Sequence, residues 1–206
     1  MAEPRRALPP TDSEVRGEDW DGRTLEGESF ESVAFIDVDM TELVSQGCTF
    51  TGCVFRGVRF NASTHTTSAF LNCTFVRCSF FDATFAGCKL LGSRFENCTW
   101  SQLTIAGGDW SFVDLSGADL RRVSITGARM RETDLTKTRL EHATVRDADL
   151  TGAWMQLTNF TSADLRGSDL STLDPSAVTL AKAVIDVGQS IQLATALGLD
   201  VRPDER

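Results

Sequence analysis

The sequence predicts an all-β solenoid, a chain wound into a square tube with one short extended segment on each side. Three observations predict it. Between Trp20 and Leu170 the positions numbered in multiples of five amount to 31, and 29 of them carry large apolar residues, the exceptions being Ser45 and His65. All six cysteines (Cys48, Cys53, Cys73, Cys78, Cys88 and Cys98) stand two residues before such a position, a phase shared by Ala118, Ala128, Ala143, Ala148, Ala153 and Ala163. Of the 16 glycines, 13 stand two residues after one, Gly52, Gly57, Gly117 and Gly167 among them. Five is neither the period of a helix nor that of a strand, so the pattern is an internal repeat, and the repeat decides the architecture.

Each position of the unit has a physical role. The large central residue points inward, and the small residue two before it also points inward, as alternation along an extended segment requires. The glycine two residues later sits at the corner, where the chain needs backbone angles that glycine tolerates. Four such sides close a coil of 20 residues, so positions 20 apart stack in four ladders. The first reads Phe35, Phe55, Phe75, Phe95, Leu115, Leu135, Met155. The second reads Phe30, Phe50, Phe70, Leu90, Trp110, Met130, Leu150, Leu170, and the third Trp20, Met40, Phe60, Phe80, Trp100, Leu120, Leu140, Phe160. The fourth holds both exceptions, Ser45 and His65, on successive coils, and these are read as irregular wall positions where Thr41–Gln46 and Asn61–Ser68 bulge outward.

Taken in order, residues 1–18 are polar, carry Pro4, Pro9 and Pro10, and lack the apolar core of a signal peptide. They are expected to form a flexible tail on a cytoplasmic protein. Residues 19–172 are the solenoid. Its first coil is acidic (Asp19, Asp21, Glu26, Glu28, Glu31), and its middle is a phenylalanine and cysteine barrel with a basic exterior (Arg56, Arg59, Arg77, Lys89, Arg94). The cysteines occupy the slot that alanine and serine fill elsewhere, so they read as packed free thiols rather than a disulfide or metal framework. From Asp109 onward, aspartates precede the central residue: Asp109, Asp114, Asp119, Asp134, Asp149, Asp164 and Asp169. A short carboxylate there satisfies backbone groups at the corner, and a regular outward row of carboxylates also imitates a phosphate backbone.

Residues 173–206 are expected to form a helical cap. Asp174-Pro175 reads as a helix start running to about Ala183, and Asp186 as the N-cap of a second helix, Val187 to Leu197, closed by Gly198. Its apolar residues Val187, Ile191, Ala194 and Leu197 share one face, and with Leu199 they form a candidate dimer interface.

The formal net charge is −9, which argues against direct nucleic-acid binding, since affinity for phosphate needs a basic footprint. No apolar run approaches the roughly 18 residues of a membrane span. Only two histidines, His65 and His142, are present, with no nucleophile, phosphate loop or metal motif placed around them. Neither an enzyme nor a cofactor or metal is expected.

Units such as Cys53-Val54-Phe55-Arg56-Gly57, Ala118-Asp119-Leu120-Arg121-Arg122, Ala148-Asp149-Leu150-Thr151-Gly152 and Ala163-Asp164-Leu165-Arg166-Gly167 resemble the A(D/N)LXX consensus of pentapeptide-repeat proteins. The resemblance covers about three quarters of the chain. It implies a right-handed quadrilateral β-helix, here of about eight coils, with a short C-terminal α-helical cap. The ending Leu197-Gly198-Leu199-Asp200-Val201 resembles that of the topoisomerase-protecting (Qnr/MfpA-like) group, in which the resemblance implies a C-terminal dimer and a DNA mimic that binds DNA gyrase or topoisomerase IV and protects it from fluoroquinolones or related poisons. Without inserted loops that break the phase, the chain is nearer the MfpA type. At about 4.8 Å between stacked strands, such a rod is about 37 Å long and a C-terminal dimer about 75 Å. At about 3.4 Å per base pair that is some 22 base pairs. On this reading the seven aspartates are the candidate gyrase-facing surface. The alternative is a dimeric scaffold or protein-binding module with no topoisomerase role.

Overall fold

A computed structural model of the chain describes residues 7–202. It is the right-handed β-helix with a helical cap that the repeat implies. Each of four walls is a parallel sheet whose neighbours are 20 residues apart. The first wall pairs Ser13–Arg16, Val33–Ile36, Val54–Arg56, Thr74–Val76 and Arg94–Glu96, and single bridges continue it through Asp114, Asp134 and Trp154. The second contains Ser29–Glu31, Thr49–Thr51 and Ala69–Leu71, and the third Ser79–Phe81 and Thr99–Ser101. The fourth is a sheet of 7 strands from Thr24–Glu26 to Thr144–Arg146.

The core is the stack of central residues. Phe55, Phe75 and Phe95 lie face on face at 4.8 and 4.6 Å between ring centroids, and rings on adjacent walls meet edge to face, as Phe75 and Phe80 do at 5.8 Å. Offset stacks and T-shaped pairs are the arrangements that aromatic quadrupoles favour. The small inward slot has a chemical preference as well as a steric one. Its hydroxyl or thiol donates to the carbonyl of a central residue one coil earlier: Cys73 Sγ to Phe50 O at 3.3 Å, Ser93 Oγ to Phe70 O at 2.9 Å, Thr133 Oγ1 to Trp110 O at 2.9 Å. The cysteines are therefore packed thiols, all free. Burial pushes Cys73, Cys78 and Cys88 up, the last to about 11, so they stay protonated.

The corner residue is left-handed at almost every turn, and many corners are not glycine. A non-glycine residue there costs about 1–2 kcal/mol, offset by the ladder hydrogen bonds on both sides of the corner. Gly108 differs because it fills the inward slot at φ +87°, where an added Cβ would lie 2.1 Å from Cys88 O. Only glycine fits this close approach.

Three expectations are corrected. Thr41–Gln46 and Asn61–Ser68 do not bulge: Ser45 and His65 are fully buried and in register with each other and with Phe85. The unbroken register also excludes a one-unit insertion there. A polar pair inside is tolerated because every polar atom is matched, as described below. Second, the coil begins earlier than residue 19. Ser13–Arg16 pairs with Val33–Ile36, and Val15, an apolar residue at a multiple of five, carries the phase; residues 1–6 of the expected flexible tail lie outside the described residues. Third, no helix covers 174–183. Asp174 accepts from Ser176 N at 2.9 Å and Ser176 Oγ at 2.6 Å, the same corner turn used throughout, and bridges Asn159–Thr179 and Asp164–Val184 extend the walls. Aspartate before proline serves a helix N-cap and this corner equally well, so the repeat runs on to Ile185 before the chain turns helical.

The helix is Val187–Ala196. Asp186 accepts from Gln189 N at 2.9 Å, and Gln189 Oε1 accepts from Asp186 N at 2.8 Å, a reciprocal capping box. The same Gln189 side chain donates through Nε2 to Leu165 O at 2.6 Å and Ser168 O at 2.8 Å. It thereby ties the helix to the carbonyls of the last full coil, while Leu193 packs on the core.

Candidate partner-binding surfaces

The polar cluster at His65 is sealed. Ser63 Oγ donates to Phe60 O at 2.8 Å, so it must accept from His65 Nε2–H, 3.0 Å away. The other ring nitrogen, Nδ1, is then bare and accepts from Ser45 Oγ at 2.7 Å. Ser68 Oγ lies 3.1 Å from Ser45 Oγ and accepts from Cys48 N at 3.2 Å. Burial pulls His65 down to about 3, so the ring is neutral. With the ring fully buried, its chemistry is structural. His142 stands at an exposed corner of a groove of about 510 Å³ lined by Trp100, Ser101, Asp119, Arg121, Arg122 and Glu141. The groove opens on the third wall, where no bridge joins the Trp100 and Leu120 levels although bridges resume at Asp119–Arg139. Among the described residues no cluster of three metal-ligating side chains occurs, and no helix is long and apolar enough to cross a membrane.

The seven aspartates do not share a face. Asp114 and Asp134 stand on the first wall, Asp109, Asp149 and Asp169 on the second, Asp119 on the third and Asp164 on the fourth. Their first task is local. Asp109 accepts from Ser111 N and Oγ at 3.1 and 2.6 Å, and Asp134, Asp149 and Asp169 likewise accept from the backbone two residues on. Among the described residues arginine then pairs with Asp109 through Arg129, with Asp119 through Arg121 and Arg139, with Asp149 through Arg131 and with Asp164 through Arg166. The Arg166 hydrogen bonds hold Asp164 down at about 2, and those of Arg121 lower Asp119. Partial burial raises Asp109 and Asp149, but hydrogen bonds from the following Ser111 and Thr151 and from Arg129 and Arg131 outweigh it. The candidate acidic surface is thus scattered and partly discharged.

The walls differ more than the aspartates alone suggest. From Leu43 to Gly127 the segments of the fourth wall carry no charged side chain; threonine, alanine and glycine line its outside, at Thr64, Thr66, Thr84, Ala86 and Thr104. The C-terminal end is apolar. Val187 (78% exposed), Ile191, Leu197, Leu199 and Val201 are all exposed, while Ala194 is half-buried. Of the candidate dimer residues, all but Ala194 are thus freely presented. Sequence reasoning missed exposed apolar residues further up the rod, among them Phe112, Trp154 and Leu157, because Trp154 stands at an outward position and Phe112 and Leu157 at corners, where the repeat expects small or polar residues. The available signal was large apolar residues out of phase.

Comparison with known proteins agrees with this geometry. The family model described as pentapeptide repeats matches residues 114–152 and 146–172 in 8 copies, and the model described as the SV2A/B/C luminal domain matches residues 22–100. Comparison with curated proteins gives no significant match. Among solved structures, a trypsin-treated variant of QnrB1, a plasmid-mediated fluoroquinolone resistance protein, is similar at 21% identity and TM-score 0.53, over 93% of this chain and 100% of that one. Full-length QnrB1 is similar at 21% identity and TM-score 0.52, over 90% and 100%. HetL, from the cyanobacterium Nostoc sp. strain PCC 7120, is 16% identical at TM-score 0.46, over 88% and 90%. At these identities the likeness speaks for the fold. The pentapeptide-repeat match thus covers the C-terminal part of the coil, residues 114–172, and the solved structures share its fold.

Proposed function

We propose that this chain is a topoisomerase-directed DNA mimic: a homodimer, joined through its C-terminal helices, that occupies the DNA-binding surface of DNA gyrase or topoisomerase IV and protects the enzyme from fluoroquinolones or related poisons. The observation that carries the reading is the apolar end formed by Val187, Ile191, Leu197, Leu199 and Val201 on a rod of net negative charge. Contiguous apolar exposure marks an association site, and closing two copies about a two-fold axis there doubles a rod of roughly duplex length. The likeness to QnrB1, a fluoroquinolone resistance protein, supports the choice of target. Charge of one sign on such a rod would mainly speed encounter and select partners. The protein acts in the cytoplasm on this reading and binds no nucleic acid itself.

The scattering and arginine pairing of the aspartates favours a second reading, a dimeric scaffold for a partner other than a topoisomerase. A gyrase supercoiling assay with purified protein, with and without ciprofloxacin, separates the two. Inhibition at micromolar protein, or rescue of supercoiling from the drug at lower protein, is the outcome the first reading predicts. No effect in either mode on gyrase from a matched host leaves the scaffold.

A further inference from the structure

Corner residues take left-handed backbone angles, and among the non-glycine corners only Phe112 (φ 61°) and Leu157 (φ 62°) carry large apolar side chains; the rest are polar, charged or Ala62. Bulky apolar residues are uncommon in this region. Their side chains gain nothing from the core, being 55% and 67% exposed. Trp154, 59% exposed, stands on the first wall three residues before Leu157 and is bridged to Asp134 one coil below. Phe112 stacks below Glu132 and Gly152 at the corner from which the chain enters that wall. The three apolar side chains therefore all stand on the outside of the C-terminal half of the first wall, Phe112 and Leu157 at its two corners and Trp154 between those corners. Phe81, exposed alone elsewhere, has no such company. Strain accepted locally for no gain in packing points to function.

The rim of the patch is acidic. Glu132, Asp134 and Asp174 make no ion pair among the described residues, in contrast to Asp109, Asp119, Asp149 and Asp164, each met by arginine. Among the described residues Lys137 is the only base on the wall in this half. Aromatic residues in a charged rim are the anatomy of a binding hot spot.

We infer that the first wall, through Phe112, Trp154 and Leu157 with Glu132, Asp134 and Asp174 around them, is the face that docks on the partner, and that the partner surface is a protein with an apolar recess ringed by lysine and arginine. The inference rests on the proposed gyrase reading and selects which of the four walls makes the contact.

The test uses corner chemistry. Phe112→Gly and Leu157→Gly place glycine where the backbone is left-handed, so neither variant should melt lower than the parent, yet both should weaken the contact. Trp154→Ala completes the set, and Thr64→Ala with Thr84→Ala on the uncharged fourth wall is the control. With gyrase and ciprofloxacin as the probe, the first-wall variants are expected to need at least 10-fold more protein for the same rescue, the control less than 3-fold. Rescue by the parent with undiminished potency in all first-wall variants would overturn the inference and leave the function standing. Absence of any effect of the parent on gyrase would overturn both. Loss of dimer mass by light scattering in Trp154→Ala would also overturn it, by showing that a second copy occupies the patch.

Discussion

At the residue scale the molecule is a stack of repeated choices, and the two that break the repeat are the most informative. Phe75 is buried between Phe55 and Phe95. Its replacement by alanine should cost about 3–5 kcal/mol, as for other buried large-to-small changes; a melting temperature near that of the parent would refute the inward assignment. His65 gives the opposite kind of prediction, one of pH. Its ordinary value is about 6.5 and burial takes it to about 3 in the fold. Above pH 6.5 the ring is neutral whether folded or not and contributes no pH dependence. Below it, the unfolded chain takes up a proton that the folded chain refuses, so stability falls by about 1.4 kcal/mol per pH unit down to about pH 3. Urea unfolding at pH 6.5 and 5.0 should show a loss of about 2 kcal/mol in the parent and a smaller loss in His65→Phe. Equal losses would show that His65 is not the titrating group, since the lowered aspartates act only at lower pH. The sequence showed the two exceptions plainly but not their meaning. Ser45 and His65 break the apolar rule, and only the positions of Ser63 and Ser68, unremarkable in the repeat, reveal that every polar atom has a partner.

At the scale of the elements, the five-residue unit was legible almost throughout because each position answers to one constraint: volume inside, a small donor in the inner slot, a left-handed corner. The ends were less legible, because there the constraint is shared. Asp174-Pro175 satisfies both a helix start and a corner, and the backbone of Asn159 and Asp164 on the preceding coil decided between them. Val15 carried the phase into a segment whose polar residues resemble a tail. Two glycine substitutions test how strict the unit is. Gly108→Ala places a methyl against the Cys88 backbone and should cost several kcal/mol or prevent folding. Gly117→Ala meets no atom within 4 Å and should cost only the left-handed penalty of about 1–2 kcal/mol. Equal effects in thermal melts would mean that the close approach at Gly108 is not what holds the coil there. For the cap, replacing Ile191 and Leu197 together with aspartate should give monomers by light scattering, since both are exposed and neither holds the helix in place; Gln189 does that. An intact dimer would reduce the helix to a lid on the last coil.

At the scale of the whole molecule, what was read from composition was the rod and its charge, and what was not read was how that charge is distributed. Counting aspartates in phase suggested a regular outward row of carboxylates along the rod. A period of five on a four-sided coil instead moves each successive unit to the next wall, so a feature that recurs along the chain is spread around the tube. Faces are written in the period of 20, and by that period the fourth wall is neutral over most of its length while the first wall gathers exposed apolar side chains and acids. DNA mimicry makes one demand that no scaffold reading shares, which is mutual exclusion with DNA on the same enzyme. The direct measurement is the fluorescence anisotropy of a labelled duplex held by DNA gyrase, titrated with the purified protein. The account predicts that the duplex is displaced to its free anisotropy at saturating protein. A ternary complex, with the protein bound and the duplex retained, would contradict it.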